Sequence, residues 1–202
     1  MTMSLVFYFI LSQPKYYKML QAELDAAFTD PAGLLDSSKL ANLPFLNAVL
    51  SETLRLGTPF FLPRIVPPSG LTLEGRFIPG GTIVAVAVHS QQTSPANFYP
   101  APLDFLPERW LPGGLGPESI TERTALMSFS SGPHVCVAKA FAYQEMRFVT
   151  ARLVLAHDMK LEEGFDVKAY RDGILNMRTT VLQSPLMVKA TKRRGFDLAK
   201  LG

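Results

Sequence analysis

Residues 129–142 read Phe-Ser-Ser-Gly-Pro-His-Val-Cys-Val-Ala-Lys-Ala-Phe-Ala and contain Cys136, the one cysteine among 202 residues. Ser130-Ser131-Gly132-Pro133 forces a turn, and a helical pattern follows from Val137 to about Ala156. A sulfur placed there faces the positive end of a helix and unpaired backbone N–H groups, a setting that generally favours its anionic form. A free cysteine is more often an inert, buried small hydrophobe. Position alone leaves both readings open.

The rest of the chain bounds the answer. The hydrophobic fraction is 48% and the charged fraction 18%, a globular composition that argues against disorder. The length suits one domain or part of one. Net charge is +3, and Lys192-Arg193-Arg194 reads as a solvated tail, too little basic charge to predict a nucleic-acid partner. A lone cysteine cannot close an internal disulfide. Leu5-Val6-Phe7-Tyr8-Phe9-Ile10-Leu11 is far shorter than the roughly 20 residues a membrane-crossing helix needs. Without a basic residue before it or small residues after it, it is no signal peptide either. It reads as the tail of a buried helix.

Periodicity predicts a helix over Lys15–Phe28, with Pro14 at its start, and a deeply buried one from Pro44, where Leu46, Val49, Leu50, Thr53, Leu54 and Leu56 cover most of the circumference. Leu71–Leu73, Arg76–Ile78 and Thr82–Val88 read as short strands joined by turn residues. Prolines and glycines from Ser94 to Ser119 predict an ordered meander. The last forty residues read as a loop followed by strands at Thr179–Leu182 and Pro185–Ala190. The class expected is mainly α with a minor β-sheet (α+β), divided as helices over 1–58, a small sheet over 59–92, the meander over 93–128, the cysteine loop and long helix over 129–160, and a C-terminal loop and hairpin over 161–202.

Two constellations carry chemistry. Glu52-Thr53-Leu54-Arg55 puts a carboxylate and a guanidinium on one face of the buried helix, where burial demands that both be paired. Arg55 has donors to spare for backbone carbonyls, and Pro107-Glu108-Arg109-Trp110 is the segment such a pair is expected to lock. That network reads as structural glue. Cys136, if anionic, is a nucleophile or a metal ligand. Of the three histidines, His134 lies in the same turn, a poor geometry for a base, and nothing marks His89 or His157 as a partner. With no second cysteine or acid cluster for zinc, the remaining reading is one thiolate on a metal held mostly by something else, a haem iron.

Phe129-x-x-Gly132-x-His134-x-Cys136-x-Ala138, with Glu52-x-x-Arg55 upstream and Pro107-Glu108-Arg109-Trp110 between, resembles the cytochrome P-450 superfamily of haem-thiolate monooxygenases. Gly75-Arg76-Phe77-Ile78-Pro79-Gly80-Gly81-Thr82 is similar to the central sheet of fungal microsomal members, so the likeness spans essentially the whole chain. The resemblance implies haem b, with Cys136 as axial ligand of the iron and its sulfur favouring O–O cleavage. It implies Phe129 beside the sulfur, Gly132 permitting the turn, Arg64 and His134 toward the haem propionates, Ala138 against the porphyrin, and Glu52, Arg55 and Arg109 as a salt-bridge triad. Phe60, Phe61, Leu62, Thr180, Val181 and Leu182 fall where such enzymes contact a small lipophilic substrate. Electrons would come from NADPH through a flavoprotein reductase, toward which Lys139 and Arg147 could face.

The sequence departs from the pattern where His134 replaces the usual Arg and Ala138 the usual Gly. Members are also considerably longer. Their oxygen-activating acid-alcohol pair precedes the segment that Ser4-Leu5-Val6-Phe7 matches, so no catalytic residue of that kind is expected in this chain. Nor is the N-terminal helix that anchors eukaryotic relatives to the endoplasmic reticulum expected within these residues. An incomplete, C-terminal piece without activity of its own is therefore expected. Its alternatives are a non-catalytic haem-binding fragment, a cysteine hydrolase, or an interaction module.

Overall fold

The computed structural model describes residues 1–57, 63–175, 182 and 184–196. Helix α1 (Thr2–Ser12) buries every residue from Leu5 to Leu11, as a helix apolar on all sides must. It packs against α2 (Pro14–Ala27), where Tyr16, Tyr17, Leu20 and Leu24 form the inner face. A one-turn helix, α3 (Ser37–Ala41), follows; Asp36 caps it by accepting the Lys39 N–H at 2.6 Å. Helix α4 (Pro44–Leu56) is buried along nearly its whole surface. Its first turn is held by Glu23 of α2, whose two carboxylate oxygens accept the Phe45 and Leu46 N–H groups at 2.7 and 2.8 Å. At the other end α1 and α4 meet so closely that a Cβ on Gly57 would lie 2.5 Å from Leu5 Cδ1.

Beyond α4 the chain forms small antiparallel ladders. Strand β1 (Arg64–Ile65) pairs with β4 (Ile83–Val84), and between them β2 (Leu71–Leu73) pairs with β3 (Arg76–Ile78). The β2–β3 hairpin turns on Glu74 and Gly75, both at positive φ (49° and 76°), the two-residue geometry that matches strand twist. Among the described residues the β-branched run Thr82–Val88 is strand only at Ile83 and Val84, and from Val88 the chain is helical in α5 (Val88–Gln92). In the meander, β5 (Phe98–Tyr99) pairs with β6 (Ile120–Thr121). Helix α6 (Lys139–Ala156) starts two residues later than periodicity suggests and runs into β7 (His157–Leu161). The last segment holds a helix, α7 (Val167–Leu175), where a loop was expected. Its strand β8 (Val188–Lys192) begins after Pro185 and pairs with β7 over five residues. The expected strand Thr179–Leu182 lies almost wholly outside the described residues. The architecture is mainly helical with minor antiparallel sheet.

Arg193 is no solvated tail residue. It forms a bidentate pair with Asp25 of α2 at 2.7 and 2.9 Å and closes the β7–β8 ladder onto that helix. Beside it the Tyr17 hydroxyl donates to the His157 carbonyl at 2.7 Å. Burial, with help from Asp158, pushes the Tyr17 phenol up to about 12 from an ordinary 10.0. A phenol that keeps its proton longer folded than unfolded leaves stability unchanged below its ordinary value and erodes it as pH rises from there through the folded value. This phenol's contribution is therefore expected to be constant below about pH 10, and the melting temperature to fall between 10 and 12. Tyr17→Phe should melt lower at neutral pH, having lost one hydrogen bond worth about 1 kcal/mol, and fall less in that alkaline window. Parallel curves would assign the fall to Tyr8, Tyr16, Tyr143 and Tyr170, which burial also raises.

Candidate functional site

Glu52, Arg55 and Arg109 meet in the interior, all fully buried at their side chains. Helix spacing sets Arg55 one turn after Glu52, giving a two-point pair: Nε to Oε2 at 2.8 Å and Nη2 to Oε1 at 2.7 Å. The remaining Arg55 donors reach the carbonyls of Gln92, Pro102 and Asp104, so all five guanidinium N–H groups are used. Its plane lies 5.0 Å over the Phe98 ring. Arg109 arrives on a short 3-10 turn, Pro107–Trp110, and donates from Nε to Glu52 Oε1 at 3.2 Å and from Nη2 to the Pro100 and Ala101 carbonyls. Its Nη1 has no partner among the described residues. Burial holds the Arg109 guanidinium below its ordinary value, and the Glu52 charge opposes that shift. Glu52 also accepts the Leu106 N–H and the Trp110 indole N–H, at 3.0 and 2.9 Å. One carboxylate thus fastens the meander to α4.

Sequence reasoning missed Gln92, the last residue of α5, which is fully buried. Its amide nitrogen donates to the Leu54 and Arg55 carbonyls at the end of α4, and its amide oxygen accepts the Met127 N–H at 2.8 Å and the Ser128 hydroxyl at 3.2 Å. Gln92 therefore joins the charge cluster to the segment that enters the cysteine loop. No local pattern could reveal it, because its partners lie at least 35 residues away.

The cysteine loop is a tight reversal. Ser130 and Gly132 both take positive φ (63° and 68°), and no atom lies within 4 Å of where a Gly132 Cβ would be, so backbone conformation and not space selects glycine there. The loop closes when the Cys136 N–H donates to the Phe129 carbonyl at 2.9 Å. Ala138 then caps α6. Phe129 stacks obliquely on Tyr143 of α6, ring centres 5.5 Å apart. Cys136 is exposed, which removes the reading of a buried inert thiol.

Cys136, Phe129, His134 and Arg64 line one cavity of about 600 Å³, walled by Leu73, Val84, Val86 and Val88. That size lies in the range of small-molecule and cofactor sites. An accessible soft sulfur, two side chains able to carry positive charge, and an aliphatic wall fit an apolar cofactor bearing a metal and carboxylates. Among the described residues no cluster of His, Cys, Asp and Glu could hold a metal by itself. Gly132 and Ala138 shape the loop without lining the cavity. Leu182 packs against the main core and is not among the lining residues either. Phe60, Phe61, Leu62, Thr180 and Val181 lie outside the described residues.

Comparison with known proteins finds a family model described as cytochrome P450 that matches residues 1–185. The chain is 40% identical over 164 residues to cytochrome P450 monooxygenase cloA of Claviceps purpurea, covering 79% of this chain and 31% of that protein. Cytochrome P450 monooxygenase astJ of Aspergillus oryzae is 36% identical over 159 residues, 77% of this chain and 31% of its own length. Cytochrome P450 67 of Uromyces fabae is 34% identical over 199 residues, 93% of this chain and 35% of its own length. The chain spans about a third of the length of these curated relatives. Since the matched span takes in the Glu52 helix, the Arg109 turn and the Cys136 loop together, the chain belongs to the cytochrome P450 family.

Proposed function

We propose that these residues form the haem-binding part of a monooxygenase, with Cys136 as the axial ligand of the iron. The observation that carries this reading is the exposed thiol opening onto a cavity shared with Arg64 and His134. Haem b, when bound, supplies the chemistry: activation of O2 and insertion of one oxygen atom into a lipophilic substrate. The chain supplies binding and orientation. Cys136 would hold the metal, presented by the Ser130–Gly132 reversal. Arg64 and His134 would meet cofactor carboxylates at the rim. Leu73, Val84, Val86 and Val88 would cover apolar faces of the cofactor. Phe129, whose ring packs on Tyr143, would lie beside the cofactor on the loop's side.

Electrons would arrive from NADPH through a flavoprotein reductase. Exposed Lys139 and partly exposed Arg147, on the first half of α6, are placed to meet an acidic partner. Phe60, Phe61, Leu62, Thr180, Val181 and Leu182 are proposed as substrate contacts on the family resemblance. Attachment to the endoplasmic reticulum is proposed on the family resemblance alone; among the described residues no helix is long and apolar enough to cross a membrane. The test is haem titration of the purified chain. Saturable uptake, followed by a strongly red-shifted Soret band on reduction under carbon monoxide, is the expected result. A folded chain that takes up no haem would overturn the reading.

A further inference from the structure

The geometry points to Gln92 as the positioning residue for Cys136, an inference that rests on the reading of Cys136 as the iron ligand. A primary amide has two N–H donors and one oxygen with two lone pairs, and Gln92 uses them all in an interior site. The donor half bonds two carbonyls in the last turn of α4, those of Leu54 and Arg55, at 3.3 and 2.7 Å. The acceptor half takes the Met127 N–H and shares the single Ser128 hydroxyl proton with the Leu54 carbonyl, at 3.2 and 3.0 Å, directly before Phe129. From there the hydrogen bonds run to the sulfur-bearing residue. The Ser130 N–H donates to the Met127 carbonyl at 2.9 Å, and the Cys136 N–H donates to the Phe129 carbonyl at 2.9 Å.

Gln92's own carbonyl accepts from Arg55, so the residue that enters the loop's hydrogen bonding is itself fixed by the buried charges. The Ser128 hydroxyl adds a direct tie to the Leu54 carbonyl of α4 at 3.0 Å, and the Met127 N–H bond is the part of the hold that belongs to Gln92 alone. Arg64 and the aliphatic wall belong to β1, β2, β4 and the stretch from β4 into α5, elements separate from the cysteine loop, and the distance between them and the sulfur therefore depends on where the loop is held. The amide of Gln92 holds it.

The test uses the chain's single thiol. In Gln92→Leu, which keeps volume but not hydrogen bonds, alkylation of Cys136 by iodoacetamide is expected to change by about tenfold, since the Met127 bond is gone and the Ser128 hydroxyl keeps only its Leu54 partner. Leu24→Ala, on α2 and away from the loop, should cost at least as much stability and leave that rate unchanged. In the haem-loaded proteins, Gln92→Leu should lose the red-shifted carbon-monoxide band that Leu24→Ala retains. Equal alkylation changes in the two variants would overturn the inference. So would an unchanged rate and band in Gln92→Leu. Should Gln92→Leu fail to fold, hydrogen exchange of the wild-type chain decides. The Met127 and Cys136 amides are expected to be protected together, and a Met127 amide exchanging at the unfolded rate would overturn the inference. If the wild type shows no red-shifted band, the haem reading fails, while alkylation and exchange still judge the hold of Gln92 on the loop.

Discussion

Glu52→Ala is expected to deprive the chain of a cooperative unfolding transition. Glu52 accepts five hydrogen bonds, from Arg55 twice and from Arg109, Trp110 and the Leu106 backbone. Its removal leaves two guanidinium groups facing each other in the interior with no anion, although both side chains are fully buried. Breaking a buried pair in this way costs about 3–5 kcal/mol, against a total stability of roughly 5–15 kcal/mol for a domain. The end of the meander would lose its hold at the same stroke, since Leu106, Arg109 and Trp110 reach α4 through this carboxylate, and the Arg55 bonds to the Pro102 and Asp104 carbonyls would remain. Glu52→Gln should be nearly as damaging, because its NH2 would point at donors. Glu108→Gln is the control. Glu108 is partly exposed and touches the Tyr16 hydroxyl and Lys15, so its loss is expected to cost about 0–1 kcal/mol. Urea unfolding followed by circular dichroism measures all three, and a Glu52→Ala midpoint close to that of Glu108→Gln would refute the account.

What the sequence discloses follows the range of the forces involved. Helices α1 and α4 are legible because apolar residues surround them, and the β2–β3 hairpin because Glu74-Gly75 is a local turn signal. Glu52 and Arg55 are one helical turn apart, so their pairing needs no tertiary information; Arg109 enters through its proximity to the sole tryptophan. Where structure depends on a distant partner, the sequence is silent or misleading. The β-branched residues after Val84 favour a strand, yet by Val88 the chain has turned into the helix α5. Lys192-Arg193-Arg194 resembles a solvated tail until Asp25 is brought beside Arg193. Helices α3 and α5, five residues each, have no period to detect. Gln92 carries no pattern at all, and its role exists only in contacts with α4 and the cysteine loop.

Cys136→Ala is expected to abolish thiolate ligation of haem while leaving the fold of the haem-free chain intact. The two halves of that expectation have separate causes. The thiol is exposed, and alanine retains both backbone hydrogen bonds of the position, from Cys136 N to the Phe129 carbonyl and from Lys139 N to the Cys136 carbonyl. Substitution at such a site changes stability by no more than about 0.5 kcal/mol. The sulfur itself has no substitute, because the sequence holds no second cysteine. Reduced, carbon-monoxide-bound absorption spectra of the two reconstituted proteins separate the cases, with urea unfolding of the apo chains as the check on folding. A red-shifted Soret band in the wild type and its absence in Cys136→Ala, at equal stability, would assign the ligand to Cys136. The same band in both proteins would place the iron on another residue and would remove the reason for the Ser130–Gly132 reversal. A large loss of stability in the apo variant would instead make Cys136 a structural residue, contrary to its exposure.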